Sequence, residues 1–255
     1  MNALAGLLLL APLVALAAAP CHYSYPTSTG FPQLYNKASN GSPQGLLPAL
    51  AWRMQQLSGC VLSPSELPMA RRNAMLQQGK LQLVLLAIQN SELEPHLEFV
   101  PLLRLPLQIT VLGSIKHTSA NALLADPSVR IGVINGALFP AEVEQHLLPL
   151  QQAGRLEYSN DRDSLYRKLG HNRLQALLEA TSWLGNPQAT PQITLRYLPF
   201  QPAVYLTAGC YLSRSMPEAN RNQLRAALQQ MLRQHEIQPL VLQYLPQLRS
   251  HLRRP

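Results

Sequence analysis

Apolar and polar positions fall in blocks along this chain, and one block is written twice. Residues 75–87, MLQQGKLQLVLLA, read as the end of a helix at Met75 and Leu76, a turn at Gly79 and a short apolar strand over 81–86. Residues 169–180, LGHNRLQALLEA, repeat it: a shift of 93 positions sets Leu76 on Leu169, Lys80 on Arg173, Leu81 on Leu174, Gln82 on Gln175, Leu85 on Leu178 and Ala87 on Ala180. A continuous apolar run preceded by a helix suits a parallel strand covered on both faces. Two copies of helix, basic turn and buried strand predict two α/β lobes built on one plan.

The remaining pattern extends this plan. Residues 21–25 predict a strand, and 26–44, rich in Ser, Gly, Asn and Pro, a loop. Leu46, Leu47, Leu50, Met54 and Leu57 keep helical spacing and stop at Gly59, a good residue to follow a helix. Pro48 fits only if it lies in the first turn. A strand at 60–62 and a helix at 65–78 follow, then the doubled block, a polar acidic loop at 89–101 and a strand at 107–112 that leaves the first lobe. The second lobe is expected to hold strands at 129–134, 156–158, 174–178 and 193–198. Its helices are expected at 140–152 and after a cap at Asp161, with Leu165 and Leu169 on the latter. Residues 203–212 return the chain, Ser215-Met216-Pro217-Glu218 reads as a capping box, and Leu224, Ala227, Leu228, Met231 and Leu232 make the apolar face of a closing helix. Strand–helix alternation favours parallel sheets with right-handed crossovers. The expected class is α/β and two-lobed, each lobe a mostly parallel sheet flanked by helices. Lobe 1 comprises 18–107 and 203–255, and lobe 2 comprises 108–202. Two crossings, near 105–113 and 196–204, make a hinge with a cleft between the lobes.

Composition narrows the setting. The chain has 255 residues, 47% hydrophobic and 13% charged, with a net charge of +8. A chain of this size buries roughly 70–75% of its unfolded surface. Its basic residues are scattered, with no run interleaved with aromatics, so nucleic acid is not an expected partner. Residues 1–17 read as a secretory signal, an apolar core ending in Ala15-Leu16-Ala17, which predicts an exported, periplasmic chain. Cys21, Cys60 and Cys210 are widely spaced with no CxxC, which leaves metal and thioredoxin-type readings without support. Export makes one disulfide plausible, and spacing leaves three pairings open. Cys21–Cys60 is favoured, because both would begin neighbouring strands of one lobe.

Several phrases resemble the extracellular solute-binding proteins, family 3, the amino-acid-binding type with the type II periplasmic binding protein fold. Pro68-Met69-Ala70-Arg71 before Leu76-Gln77-Gln78-Gly79 resembles the family's P-x-x-R and L-x-x-G-x-x-D. Residues 99–104, FVPLLR, resemble F-x-P-x-x-R, and 130–136, RIGVING, resemble the V-G-V-x-x-G turn. Tyr211-Leu212-Ser213-Arg214 with Pro217-Glu218 resembles the returning strand and last helix. The match spans nearly all of the chain beyond residue 17. The departures bear on the ligand. The family's carboxylate-clamping Arg falls at Leu93, its ammonium-binding Asp at Ala180 beside Glu179, and the Ser or Thr after the turn at Ala137. The Asp after each basic turn is Gln82 and Gln175. An unpaired desolvated charge costs roughly several kcal/mol, so a standard α-amino acid suits this chain poorly.

In open α/β sheets a ligand sits at the carboxyl ends of the strands. Those ends supply Tyr25, Gln89, Asn90, Asn135, Gly136, Ala137 and Trp183. Backbone N–H groups at 135–137, ahead of a helix, suit an anionic oxygen, or else form a tight turn that needs glycine. Tyr25 and Trp183 either stack a flat ligand or pack within a lobe. Arg71 and Arg104 either draw in a carboxylate or phosphate or lie in ion pairs within a lobe. No G-x-S-x-G, P-loop or H-E-x-x-H is present, and the seven His show no ligand spacing, so neither enzyme nor cofactor is expected. The expected function is periplasmic capture of a small polar solute in the inter-lobe cleft for an ABC-type transporter or sensor, with a membrane permease or sensor domain as partner and the chain acting as a monomer. The alternative is a degenerate binding-protein fold serving as a periplasmic accessory or signalling protein without solute transport.

Overall fold

The computed structural model describes residues 21–27, 31–135, 137, 139, 141–179, 193–249 and 252. The signal segment expected at 1–17 lies outside them. Strand β1 (His22–Thr27) turns Tyr23 and Tyr25 inward. A short hairpin, β2 (Asn36–Lys37) with β3 (Pro43–Gln44), leads to helix α1 (Leu46–Ser58). This helix buries Leu46, Leu47, Leu50, Ala51 and Met54 along one face and ends at left-handed Gly59, φ 73°. Pro48 falls in its first turn. Strand β4 (Val61–Glu66) pairs in parallel with β1, and a disulfide joins Cys21 to Cys60 just ahead of that ladder. Helix α2 (Met69–Gln77) and strand β5 (Leu83–Ile88) follow, and β1 lies against β5. Strand β4 occupies 65–66, which the apolar pattern assigns to a helix, and α2 starts only after Pro68, whose fixed φ suits a helix entry.

The expected loop at 89–101 is a one-turn 3₁₀ helix (Ser91–Leu93) running into the ten-residue strand β6 (Leu97–Pro106). Lobe 2 then takes β7 (Gln108–Leu112), α3 (Ala120–Ala125), β8 (Ile131–Ile134), α4 (Ala141–Gln152), β9 (Leu156–Ser159), α5 (Arg162–Gly170), β10 (Ala176–Leu178) and β11 (Leu195–Pro199). Its sheet order is β11-β7-β10-β8-β9. Strands fed by helices, β10, β8 and β9, pair in parallel, while β7 and β11, which carry the chain between lobes, pair antiparallel. Strand β12 (Tyr205–Ser213) returns to lobe 1 and lies antiparallel between β5 and β6. Strand β5 therefore has an antiparallel ladder partner, the returning strand. Helices α6 (Glu218–Arg233) and α7 (Ile237–Tyr244) close the chain. The Ser215 box does not form: the Ser215 hydroxyl lies 2.8 Å from that of Ser213, and α6 begins after Pro217 with no side-chain cap.

Apolar burial follows the two lobes. Met54, Leu83, Leu103, Leu212 and Leu228 belong to one core, and Ile109, Val111, Ile131, Val133 and Leu178 to the other. Both crossing segments run side by side, the Leu107 N–H donating to the Val204 carbonyl at 2.8 Å. Leu206 of β12 packs into the lobe-2 core next to them.

The doubled block is one piece of geometry used twice. Gly79 (φ 64°) and Asn172 (φ 56°) each reverse the chain in the left-handed region. Their N–H groups bond Leu76 and Leu169, and the next N–H groups, on Lys80 and Arg173, reach back to Met75 and Lys168 at 2.9 Å. A side chain on a left-handed residue costs roughly 1–2 kcal/mol unless it is Gly or a short amide. A Cβ on Gly79 would also press His96 at 3.2 Å. Gly79→Ala and Asn172→Ala should therefore each lose about 1–2 kcal/mol in urea unfolding, whereas Asn172→Gly should stay within about 0.5 kcal/mol.

Glu98 of β6 braces α6, pairing with Arg225, whose Nη2 lies 2.7 Å away, and with Arg221 at 3.4 Å. The hydrogen bonds from Arg225 hold its carboxyl below the usual range against the opposing effect of burial. A carboxyl lowered on folding stabilises above its unfolded value, roughly 4.3, and loses that contribution as pH falls through the folded value. Glu98→Gln should lower the melting temperature at neutral pH and flatten the acid limb of a melting-temperature-against-pH curve below about pH 4.3.

Candidate functional site

The parallel strands of lobe 2 end on a common rim. Strand β8 delivers Asn135, β9 delivers Asn160 and Arg162 at the start of α5, and β10 delivers Glu179. Asp161 caps α5, its carboxylate accepting from the Ser164 N–H at 2.6 Å, and this fixes where Arg162 leaves the helix. Tyr166 lies one turn on, on the same face.

Arg162, Tyr166 and Glu179 form a mutual hydrogen-bond network. Arg162 Nε donates to Glu179 Oε1 at 2.8 Å, Arg162 Nη2 to the Tyr166 oxygen at 2.9 Å, and the Tyr166 hydroxyl to Glu179 Oε2 at 2.7 Å. The Arg162 side chain is 9% exposed and that of Glu179 2%. Burial pushes the Tyr166 hydroxyl far up, and the Glu179 charge adds to it. Tyr197 of β11 lies in the same field and is also raised, chiefly by burial.

The guanidinium does not face its own lobe alone. It lies 4.6 Å from the centroid of the Tyr166 ring and 5.4 Å from that of Phe31, which belongs to the lobe-1 core. A cation within about 6 Å of a ring face is attracted by its quadrupole. Arg162 and Phe31 thus bring the lobes into contact at the rim.

The expected site residues fall in three groups. Tyr25 is 1% exposed, packed in the lobe-1 core, with its hydroxyl raised by burial. Asn90 is buried and caps the 3₁₀ turn by accepting from Glu92 N–H, while its own N–H donates to the Tyr211 hydroxyl at 2.7 Å. The Gln89 side chain donates to Glu94 at 2.9 Å. Asn135 is exposed and donates to Asn160 at 3.1 Å. The Ala137 N–H bonds Ile134 and closes a turn, which takes it from the anion cradle expected at 135–137. Arg71 is exposed on the first turn of α2, and Arg104 is exposed on β6, 5.1 Å from the Tyr205 ring. Gly136 and Trp183 lie outside the described residues. Leu93, where the resemblance places a carboxylate-clamping Arg, is 2% exposed in lobe-1 packing. Sequence reasoning passed over Arg162, Tyr166 and Phe31. The Arg162/Tyr166 spacing of four on a capped helix, with Glu179 at the end of the next strand, was the available signal.

Among the described residues, two cavities of about 690 and 660 Å³ flank Trp52, which is 60% exposed, between α1 and α7. Neither is lined by a residue of the lobe-2 rim, and the larger has no charged side chain in its wall. Chemistry is concentrated at the rim instead.

Breaking a buried ion pair by removing one partner costs about 3–5 kcal/mol. Glu179→Ala should lose that much in equilibrium unfolding. Tyr166→Phe, which removes a buried hydroxyl bonded to charged groups, should lose about 1.5–3 kcal/mol.

No family model matches the sequence, and no curated protein sequence matches it. Solved structures do match in fold. The arginine-, lysine-, histidine-binding protein ArtJ from Geobacillus stearothermophilus superposes with a TM-score of 0.70 at 12% identity, over 92% of this chain and 96% of that one. A putative L-cystine ABC transporter protein from Listeria monocytogenes gives 0.68 at 18% identity, over 91% and 98%. A histidine kinase sensor domain similar to periplasmic binding proteins gives 0.67 at 10% identity, over 92% and 99%. The chain has the two-lobed fold of the amino-acid-binding periplasmic proteins.

Proposed function

We propose that this chain is an exported solute-binding protein that closes its lobes, 18–107 with 203–255 against 108–202, on a small polar solute without catalysis. The observation that carries this reading is the lobe-2 rim, where a dry Arg162–Glu179 pair reaches the ring of Phe31 across the lobes while two paired segments form the only described links between the sheets. Rotation about such paired straps opens and closes a cleft. Arg71, Gln89, Arg104 and Asn135, with Gly136 and Trp183, are the groups we assign to the solute's approach and capture. The fold supports the reading, since structures that share it are described as an amino-acid ABC transporter's substrate-binding protein and a sensor domain. We place the mature chain in the periplasm as a monomer that presents its closed form to a permease or a sensor.

Buried Leu93 favours one second reading, an accessory or signalling protein of the same fold that carries no solute. Native mass spectrometry of freshly purified protein, a thermal-shift screen and small-angle scattering decide between them. A solute at 100-fold excess over its Kd should add about 2.7 kcal/mol of stability and reduce the radius of gyration. No carried mass, no shift across a broad screen and no closure would leave the accessory reading in place.

A further inference from the structure

Arg162 is surrounded by what a planar cation needs. Phe31 from lobe 1 and Tyr166 from lobe 2 offer ring faces at 5.4 and 4.6 Å. Glu179 offers a carboxylate oxygen at 2.8 Å and Tyr166 a phenol oxygen at 2.9 Å. Aromatic faces, a buried carboxylate and a phenol oxygen that accept from a planar fork of donors make a guanidinium recognition site. Its occupant is the chain's own side chain.

A brace within lobe 2 would need only Tyr166 and Glu179. The ring of Phe31 adds a wall from the opposite lobe, so the site spans the place where a solute would be enclosed. One carboxylate balances one cation there. A second cation brought into the same dry space would have no partner, and an unpaired buried charge is strongly disfavoured.

We infer that Arg162 is a resident cation filling the cleft's own cation-binding place, so that the natural solute is neutral or anionic and guanidinium- or amine-bearing solutes are rejected. This rests on the cleft reading above and names the solute class. Arg162 is on this account a specificity determinant: removing it converts the cleft into a receptor for small guanidinium compounds.

The test uses the full mature chain as wild type, Arg162→Ala, Arg162→Ala/Glu179→Gln and Arg162→Ala/Phe31→Ala. Methylguanidinium and agmatine are titrated by calorimetry and thermal shift, with small-angle scattering of the Arg162→Ala complex. Wild type should bind neither. Arg162→Ala should bind agmatine at least tenfold more tightly than wild type and contract on binding. Glu179→Gln should abolish that gain, and Phe31→Ala should weaken it tenfold or more. A brace confined to lobe 2 would show no dependence on Phe31 and no contraction, and either result overturns the inference. So does agmatine binding to wild type as tightly as to Arg162→Ala, or no binding by folded Arg162→Ala. If Arg162→Ala does not fold, Arg162→Lys, which keeps a charge on Glu179, takes its place. It should reject agmatine as wild type does, and an agmatine shift in either protein that Phe31→Ala removes sinks the proposal. Failure to find any solute for wild type is a separate outcome: it bears on the cleft's natural role and leaves the gain in Arg162→Ala to be read on its own.

Discussion

The last carbonyls of a helix have no partner inside it, and this chain closes them the same way at the ends of α2, α4, α5 and α6. Gly79, Gly154, Asn172 and His235 all take positive φ, between 56° and 65°. In each case the reversing N–H bonds three residues back and the following N–H five residues back. Three of these reversals aim the chain at a strand, β5, β9 and β10, and the fourth joins α6 to α7. The reversal fixes direction within two residues, and the strand it delivers carries the rim residues at its far end. A looser helix exit at 172 would leave the position of Glu179 undefined against Arg162, so the site depends on a turn at the opposite end of the strand.

This dependence explains how much of the fold could be read from the residues. The apolar steps at Leu76, Leu81, Leu169 and Leu174 are all buried, because the turn leaves each little freedom. Strand β6 was hidden for a physical reason. Glu98, Pro101 and Pro106 mark it as irregular, yet Pro101 lies opposite Gly209, where the β6–β12 register shifts. A bulge removes the demand for a ladder N–H and so admits proline. A Cβ at Gly209 would come 2.2 Å from the Val100 carbonyl, so the glycine that permits this approach sits far away in sequence. Helices α3 and α7 are six and eight residues long, too short to show more than two apolar turns.

Strand ends can be read from the sequence more readily than the side chains that gather there. Asn135 and Gln89 stand just past the ends of their strands, where the sequence reading places a ligand. Tyr25 and Asn90 stand near such ends too, but both are buried in lobe 1, Tyr25 packed in its core and Asn90 bonded to Glu92 and Tyr211. Nothing local distinguishes an inward end residue from an outward one. Arg162 looked like an ordinary charge in a helical first turn, where a cation is even mildly disfavoured by the helix dipole. Its value appears only when Glu179 and Phe31, far apart in sequence, are set around it.

Scarcity of acid gives that cluster its weight. The chain holds 13 acidic residues against 21 basic ones, so cations are plentiful on the surface and each carboxylate has a choice of partners. Several are used as ties between elements: Glu236 holds Arg53 across α1 and the α6–α7 turn, Glu98 holds Arg225 across β6 and α6, and Glu157 holds Lys168 across β9 and α5. Each of those pairs keeps a fifth or more of its side-chain surface in water, where an ion pair contributes little and a solvated replacement costs little. Arg162 and Glu179 are different, since both are withdrawn from solvent and must satisfy one another. A fold that wanted only a tie could have made it at the surface, as it does elsewhere. Placing it dry, between the lobes and against an aromatic ring, is a constraint on what else can enter that space.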